Sequence, residues 1–209
     1  VHPKEIQKLL AKLEGTAQEA LIDRLTLRSM KQAKYTTECT GHFGLAAKYY
    51  CHFTSPIRRY PDLQIHRIIK DTLRGRMKEE KLQHYQMILD EVAKQSSERE
   101  RRAAEVERET IRLKKAEYMR RHLYEEFDGV ISGMTAWGIY VELPNTVEGL
   151  VRASSLQGDY FEYNESTYEM VGAHTGKTWK LGQSVRIRVA GADTKARTID
   201  FEMAESQEE

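Results

Sequence analysis

The chain has 209 residues, of which 40% are hydrophobic and 31% charged, and its formal net charge is +1. This length fits one large domain or two small ones, with enough apolar residues for an ordinary globular core. No run approaches the roughly 18 apolar residues that a membrane span requires, and the N-terminus lacks the basic and then apolar order of a secretory signal. We therefore expect a soluble, cytoplasmic protein with no membrane partner.

Charge divides the chain into two parts. Residues 1–124 contain 26 Lys and Arg against 17 Asp and Glu, whereas residues 125–209 contain 7 against 15. This contrast, +9 against −8, is typical of two modules of which the basic one faces a polyanion such as nucleic acid. A solvated charged helix surface produces the same excess, so composition alone leaves both interpretations open.

Cys39 and Cys51 are too few for a disulfide framework and fit a reducing compartment. With His42 and His52 they would allow a zinc site. Adjacent ligands such as Cys51 and His52 rarely converge on one tetrahedral ion, however. We therefore favour free, buried thiols and expect no metal ligands in this chain.

Helical periodicity opens the chain. The spacing of Ile6, Leu9, Leu10 and Leu13 predicts a helix from Lys4 to about Leu13, and a second helix follows from about Ala17. Ser55-Pro56 is a helix start signal, because Ser can cap free amides and Pro loses no hydrogen bond in the first turn. We expect that helix to reach Gly75, with Pro61 either kinking or restarting it.

Two more helices are predicted before the pattern changes. Apolar residues from Leu82 to Val92 mark the first, and Ser97-x-x-Glu100 matches a capping box that opens a long charged helix to about Tyr124. Beyond Phe127 alternating residues predict five short strands separated by turns. They are Gly129–Gly133, Trp137–Leu143, Glu148–Val151, Ser184–Val189 and Thr198–Glu202. Five such strands suggest a small OB-type barrel, with an SH3-like barrel as the competing fold.

The segment His52–Arg67 concentrates hydroxyls, aromatic rings and the adjacent Arg58 and Arg59 at a predicted helix start. Free amides in a first helical turn favour an anion, and Arg58 can add a bidentate donor to phosphate oxygens. In phosphoryl transfer such a residue stabilises the charge that develops in the transition state. An arginine–carboxylate network with Asp62 that fixes the helix explains the same residues, and physical reasoning alone does not separate the two interpretations.

This segment resembles the signature near the C-terminal end of the catalytic domain in the ribonuclease II and ribonuclease R family of exoribonucleases. Gly41-His-Phe-Gly-Leu45 matches the motif that precedes it, and Arg58-Arg-Tyr-Pro-Asp62 is closer to the ribonuclease R branch. The resemblance implies that Arg58 is the catalytic arginine at the scissile phosphate. It also implies that an RNA path is lined by residues Gly41, His42, Phe43, Gly44, Thr54 and Ser55. Arg59 and His66 are either RNA contacts or helix packing residues.

Members of that family hydrolyse RNA from the 3′ end to nucleoside 5′-monophosphates with magnesium held by an Asp cluster at the start of the catalytic domain. Nothing in this sequence matches that cluster. Two-metal hydrolysis needs several converging carboxylates, which Asp62 alone does not supply. Because the chain begins with Val1, we expect it to be part of a longer enzyme that binds magnesium, and we expect the chain by itself to be inactive.

The predicted barrel, from about Phe127 to Met203, resembles the S-one type RNA-binding domain, named for a large ribosomal protein. The likeness lies in Gly133-x-x-x-Trp-Gly-x-Tyr-Val-Glu142, Glu148-Gly-Leu-Val-Arg-x-Ser-Ser-Leu156 and Asp193-x-x-x-Arg197. It implies that bases stack on Trp137 and Tyr140 and that Arg152 and Arg197 contact the RNA backbone.

Strand alternation puts Trp137 on one face with Ile139 and Val141, and Tyr140 on the other, unless Gly138 forms a bulge. At least one of the two rings should therefore be exposed. The barrel's net charge of −8 suggests that its acidic groups lie away from the RNA-binding groove.

The sequence thus predicts an α+β multidomain chain. Residues 1–124 would be the helical C-terminal part of an RNB nuclease domain, and residues 125–206 a five-stranded OB-fold barrel. The leading hypothesis is a segment of a processive 3′-to-5′ exoribonuclease that acts on single-stranded RNA and associates with the ribosome or the RNA decay machinery. A non-catalytic RNA-binding protein on a nuclease-derived scaffold, and a structural helical module with a protein-binding barrel, are the alternatives.

Overall fold

The computed structural model describes residues 3–15, 22–23, 26–27, 29–165 and 167–204. They form two compact units, 1–106 and 107–209. The described part of the chain contains three α-helices, which are α1 (Pro3–Leu13), α2 (Tyr60–Leu73) and α3 (Glu79–Met119). None of these helices is long and apolar enough to cross a bilayer. The predicted helix from about Ala17 falls largely outside the described residues.

The start of α2 differs from the prediction. Ser55-Pro56 opens a tight turn rather than a helix, because the backbone N–H groups of Arg58 and Arg59 both donate to the carbonyl of Ser55, at 3.2 and 3.0 Å. The helix begins at Tyr60, with Pro61 in its first turn and Arg59 in extended conformation at the N-cap. Of the two roles considered for Pro61, restarting the helix is therefore the correct one.

The capping box prediction at Ser97 is wrong. Residues Glu79–Met119 form one continuous helix, and the Ser97 hydroxyl donates to the carbonyl of Ala93 one turn earlier, at 2.8 Å. Ser97 Oγ also accepts the backbone N–H of Tyr35 at 2.9 Å. No glycine or proline interrupts the helix before Ser97, so the serine bonds to the helix backbone instead of ending it.

The second unit contains a closed five-stranded barrel in the order β1-β2-β3-β8-β7. Its strands are β1 (Glu126–Thr135), β2 (Gly138–Glu142), β3 (Glu148–Arg152), β7 (Ser184–Asp193) and β8 (Thr198–Met203). All pairs are antiparallel except β3 with β8. Irregular register between Ile131 and Gly133 and between Val189 and Gly191 marks β-bulges, which help a short sheet to close. The five predicted strands and the OB-type barrel are confirmed.

Alternating apolar residues fill the barrel. Ile139, Val141, Val151, Ile187 and Val189 are fully buried, together with Phe201. Ala116 and Met119 near the end of α3 belong to the same core, which explains why the second compact unit begins within that helix. The domain boundary expected after residue 124 is not tested by this division and stays a prediction.

A three-stranded antiparallel sheet between β3 and β7 was not predicted. It consists of β4 (Phe161–Asn164), β5 (Glu169–Gly172) and β6 (Thr178–Lys180), and a short 3-10 helix (Ala153–Ser155) precedes it. Tyr163, Met170 and Trp179 pair across its three strands and pack toward the core. Strands of three or four residues are too short for alternation to be recognised in the sequence.

Candidate nucleic-acid interfaces

The motif that begins at Gly41 folds into a tight loop closed by a two-way backbone bridge. His42 N donates to the Ala47 carbonyl at 2.8 Å, and Ala47 N donates back to His42 at 3.2 Å. Gly41 has φ +74°, and a Cβ there would lie 2.7 Å from the Ala47 carbonyl oxygen, so a side chain is excluded. His42 Nδ1 accepts the backbone N–H of Leu45 at 3.2 Å. The ring of Phe43 is 48% exposed.

Aromatic rings continue from this loop through the following segment. His42 contacts Tyr50 edge to face, Tyr50 contacts His52 in the same way, and the Tyr35 hydroxyl lies 2.8 Å from His52 Nδ1. Burial and the neighbouring Glu100 carboxylate raise the pKa of Tyr35, so its hydroxyl stays protonated. Several rings of the segment are exposed, namely Tyr49, Tyr50, Phe53 and Tyr60. We did not predict these rings individually, although their density between Phe43 and Tyr60 was visible in the sequence.

Arg58 is exposed in the turn that precedes α2. Its guanidinium makes no hydrogen bond or ion pair with any side chain in the part of the chain that the structure describes. Thr54 beside the turn is exposed, and Ile57 next to Arg58 is fully exposed. An unpaired guanidinium held at a solvent-facing turn is able to make bidentate hydrogen bonds to a phosphate.

Asp62 is buried beneath the same turn and accepts hydrogen bonds from it. Its carboxylate is fully buried, and Oδ2 accepts three hydrogen bonds, from Ser55 N at 2.8 Å and from Arg59 Nε and Nη2 at 3.2 and 2.9 Å. Burial raises the pKa of Asp62, but the Ser55 amide and the Arg59 guanidinium lower it by more, so the net pKa lies below its ordinary value. The carboxyl group is therefore ionised at neutral pH.

The sequence left two interpretations of Arg58 open, a phosphate contact and an ion pair with Asp62. In the structure Arg59 makes the ion pair, and Arg58 is the residue exposed to solvent. The arginine–carboxylate network exists, but Arg59 forms it with Asp62, while Arg58 makes no ion pair with any described residue. The expected anion position in the first turn of a helix at Ser55 is wrong, because no helix begins there and Asp62 takes the Ser55 amide. His66 stacks on Phe53 at 4.3 Å between ring centroids, and its Nε2 lies 2.8 Å from the Phe53 carbonyl oxygen.

The two cysteines are free, as expected, but both are exposed rather than buried, since they lie in the irregular segment before α2. Among the described residues there is no group of three or more His, Cys, Asp or Glu side chains that fits a metal ion.

One row of paired residues crosses the outer face of the barrel. Tyr140 pairs with Gly133 and Leu150, Leu150 pairs with Asp200, and Asp200 pairs with Gly191. Trp137 lies in the turn before β2, 62% exposed, and its indole N–H donates to the Tyr140 hydroxyl at 3.1 Å. The prediction that Trp137 shares a face with Ile139 is therefore wrong, because Trp137 lies outside the strand. Both rings are accessible and adjacent, which makes a surface on which bases can stack.

Arg152 lies at the end of β3, opposite Gly138, and close to these rings. The Arg152 guanidinium is exposed and pairs with Asp200 at 3.1 Å. Asp200 belongs to the same row as Tyr140, so the expectation that acidic groups avoid this face is wrong for that residue. The pairing leaves part of the Arg152 guanidinium available for a further anion.

Arg197 lies away from Trp137. The parallel register of β3 and β8, with Leu150 opposite Asp200, puts Arg197 toward the Val147 end of the barrel and Trp137 toward the Arg152 end. The Arg197 guanidinium forms an ion pair with Glu109 of α3. The structure thus groups Trp137, Tyr140 and Arg152, and separates Arg197 from them.

Each of the two units contains a segment that matches a known domain family. The RNB domain model matches residues 1–75, and the S1 RNA binding domain model matches residues 124–204. The chain is 45% identical over 207 residues to Ribonuclease R 1 of Lactococcus lactis subsp. lactis. This alignment covers 99% of this chain and 25% of that protein. It is 44% identical over 208 residues to Ribonuclease R of Aquifex aeolicus, covering 99% of this chain and 29% of the relative. Over almost its whole length, the chain is therefore similar to one part of ribonuclease R proteins.

A solved ribonuclease R also has this fold. The structure of Mycoplasma genitalium RNase R in complex with ribose methylated single-stranded RNA superimposes with a TM-score of 0.88 at 24% identity, over 98% of this chain and 32% of that chain. The chain thus spans less than a third of each of these ribonuclease R proteins. Its helices and barrel correspond to part of a larger ribonuclease R fold.

Proposed function

We propose that this chain is part of a ribonuclease R-type exoribonuclease that hydrolyses single-stranded RNA processively from its 3′ end to nucleoside 5′-monophosphates. Similarity to ribonuclease R proteins over almost the whole chain and the RNB domain match support a nuclease. The direction of attack, the products and the processivity rest on the family resemblance of the Gly41 and Arg58 motifs. We propose a cytoplasmic location and an association with the ribosome or the RNA decay machinery on the same basis.

The single observation that carries the proposal is the exposed guanidinium of Arg58, which has no partner among the described residues and lies in a segment with several exposed aromatic rings. In the proposed reaction Arg58 donates to the nonbridging oxygens of the scissile phosphate and stabilises the charge that grows there. Exposed rings such as Tyr50 and Phe53 offer stacking surfaces to bases, a contact that tolerates any sequence. An enzyme that degrades RNA of every sequence needs this tolerance.

The barrel is proposed to hold the RNA rather than to act on it. Trp137 and Tyr140 offer adjacent rings to successive bases, and Arg152 lies at the same end of the barrel to meet the backbone. The match to the S1 RNA binding domain supports RNA as the ligand, as do the complexes of Mycoplasma genitalium RNase R with single-stranded and with double-stranded RNA. The preference for a single strand rests on the family resemblance. Arg197 retains a proposed RNA contact, which would compete with its ion pair to Glu109.

Magnesium stays part of the proposal for the full-length enzyme. Since the described residues do not form a site for it, the proposed ligands belong to other parts of that protein. For the same reason we propose that this chain by itself binds RNA without cleaving it.

Replacing Arg58 with Ala in the full-length protein tests the proposal. We expect the rate of single-turnover cleavage of a short single-stranded RNA to fall about 100- to 1,000-fold, with little change in RNA affinity, because the guanidinium acts mainly in the transition state. Arg74→Ala is the matched control, since Arg74 is exposed at the opposite end of α2. Equal losses of rate and affinity would contradict the role, and binding without any cleavage by the unmodified protein would favour the non-catalytic alternative.

A further inference from the structure

We propose that Asp62 is a positioning residue that acts through Arg58: it fixes the turn and withdraws Arg59, so that only one of two adjacent guanidinium groups faces the phosphate. This inference rests on the proposed nuclease function and deepens it. Asp62 touches neither substrate nor metal in the proposal, so its effect on the reaction is indirect.

The first support is the way in which the turn is closed. The Ser55 amide donates to Asp62 Oδ2, while the Ser55 carbonyl accepts from the amides of Arg58 and Arg59. Both polar groups of the Ser55 peptide backbone are therefore used to hold the same turn. Without the carboxylate, the Ser55 amide would lose its partner, and the residues that carry Arg58 would lose their anchor on α2.

The second support is the distribution of charge. The Arg59 side chain is 20% exposed and makes two hydrogen bonds to Asp62, whereas Arg58 is exposed and unpaired among the described residues. A buried carboxylate holds a guanidinium strongly, since the interaction is little screened by water. Asp62 thus determines which arginine is available to RNA.

The third support is an unfavourable feature of the carboxylate itself. Its other oxygen, Oδ1, is also buried and has no hydrogen-bond partner among the described residues. Burying an acceptor without a donor costs free energy, so this arrangement is not the one that stability alone would favour. Departures of this kind are concentrated at functional sites.

Asp62→Asn in the full-length protein tests the inference, because Asn keeps the shape and an acceptor for Ser55 but loses the charge that holds Arg59. We expect single-turnover cleavage to slow by about 100-fold through misplacement of Arg58, with RNA affinity within a few-fold of the unmodified protein. In an Arg58→Ala background the same substitution should cause no further loss of rate, since its effect passes through Arg58.

Asp71→Asn is the matched control. Asp71 lies on the same helix and bonds to Tyr85 and Lys81, so its loss should lower the unfolding temperature and leave cleavage unchanged. If Asp62→Asn does not fold, Arg59→Gln removes two of the three donors to Oδ2 and should give a smaller loss that also vanishes without Arg58.

The outcomes separate this inference from the proposed function. If the unmodified protein binds RNA without cleaving it, the proposed function fails. If it cleaves RNA and Arg58→Ala leaves that cleavage intact, Arg58 has no catalytic role, and the positioning role of Asp62 is overturned while the nuclease function stands.

Another outcome is that Arg58→Ala abolishes most cleavage, but adding Asp62→Asn or Arg59→Gln to that variant lowers the remaining rate further. If this further loss is the same factor that the substitution causes in the unmodified protein, Asp62 acts independently of Arg58 and only the positioning role is overturned. Unchanged cleavage in a folded Asp62→Asn protein overturns it as well.

Discussion

Arg58 lies in a turn outside regular secondary structure, whereas Tyr140 lies in the middle of a row of residues that crosses all five strands of a barrel. The turn is held by one buried carboxylate that receives three hydrogen bonds. The barrel face is held by strand register and by a core of alternating apolar residues. One region depends on a single side chain, and the other on many backbone contacts.

This difference indicates what each region can tolerate. A change in the turn should alter function before it alters overall stability, because few contacts are lost. On the barrel face, single side chains can be removed with little structural effect, but a change that disturbs strand pairing should affect the whole barrel. The predictions below test that contrast.

Gly138→Ala should have the largest effect on stability. A Cβ at Gly138 would lie 2.2 Å from the Val151 carbonyl oxygen and 3.0 Å from Arg152 Cα, and a backbone cannot move aside without breaking the pairing of β2 and β3. We expect the barrel to lose about 3 kcal/mol. Both tryptophans, Trp137 and Trp179, belong to the second unit, so tryptophan fluorescence during denaturation reports on that unit.

Gly133→Ala is the control on the same face. There a Cβ would contact the Tyr140 side chain at 3.7 Å, an ordinary packing distance. We expect the unfolding midpoint to stay close to that of the unmodified chain. Equal destabilisation by both substitutions would show that strand register does not account for the difference.

Trp137→Ala should weaken binding without unfolding the barrel, because the ring is exposed and lies outside the core. The loss of one stacking surface is expected to cost about 1–3 kcal/mol, or roughly a 5- to 150-fold rise in the dissociation constant. Fluorescence anisotropy of a labelled single-stranded RNA with the 209-residue chain measures it. An unchanged dissociation constant would exclude stacking on Trp137 and favour a barrel that binds another kind of partner.

Trp179→Phe allows stacking of RNA on Trp137 to be followed by tryptophan fluorescence. The Trp179 indole N–H is buried with no hydrogen-bond partner among the described residues, so Phe should be tolerated there. The only tryptophan left is Trp137, whose fluorescence should be quenched when single-stranded RNA binds. Binding without quenching would place the RNA elsewhere on the chain.

A smaller, pH-dependent effect is expected at Asp159 in the loop before β4. Hydrogen bonds from the Thr175 hydroxyl and amide, followed by those from His174, hold the pKa of Asp159 well below its ordinary value. A carboxyl group whose pKa is lowered by folding stabilises the folded protein. This stabilisation is fully present above the pKa of the group in the unfolded chain, about 4, and it is lost progressively as the pH falls from there toward the pKa in the folded protein.

Asp159→Asn should therefore lower the unfolding temperature at pH 7 and have less effect at pH 3. Asp128→Asn is the control, because Asp128 is 80% exposed and its ion pair to Arg186 is 3.4 Å long. A destabilisation by Asp159→Asn that does not change between pH 7 and pH 3 would contradict the assignment.

The sequence predicted the barrel better than it predicted the segment before α2. Alternation from Ile139 to Val141 and in β7 and β8 reflects one buried face, and this local pattern remains true in the fold. Ser55-Pro56 and Ser97 were both taken for helix starts, since each has the local features of a cap. The Ser55 amide instead donates to Asp62, and Ser97 bonds to Ala93 and Tyr35. Asp62 and Tyr35 are not adjacent to these serines in the chain, so the local sequence did not reveal the contacts.

The sequence by itself determined the five barrel strands and, through its motifs, predicted the resemblance to ribonuclease R and the candidate residues, because alternation and short motifs are local properties. Tertiary structure decided that Arg59 pairs with Asp62 while Arg58 stays exposed, and that Trp137 lies beside Tyr140 whereas Arg197 pairs with Glu109. Which of two adjacent like charges is neutralised depends on where a buried carboxylate lies, and burial is a property of the folded chain.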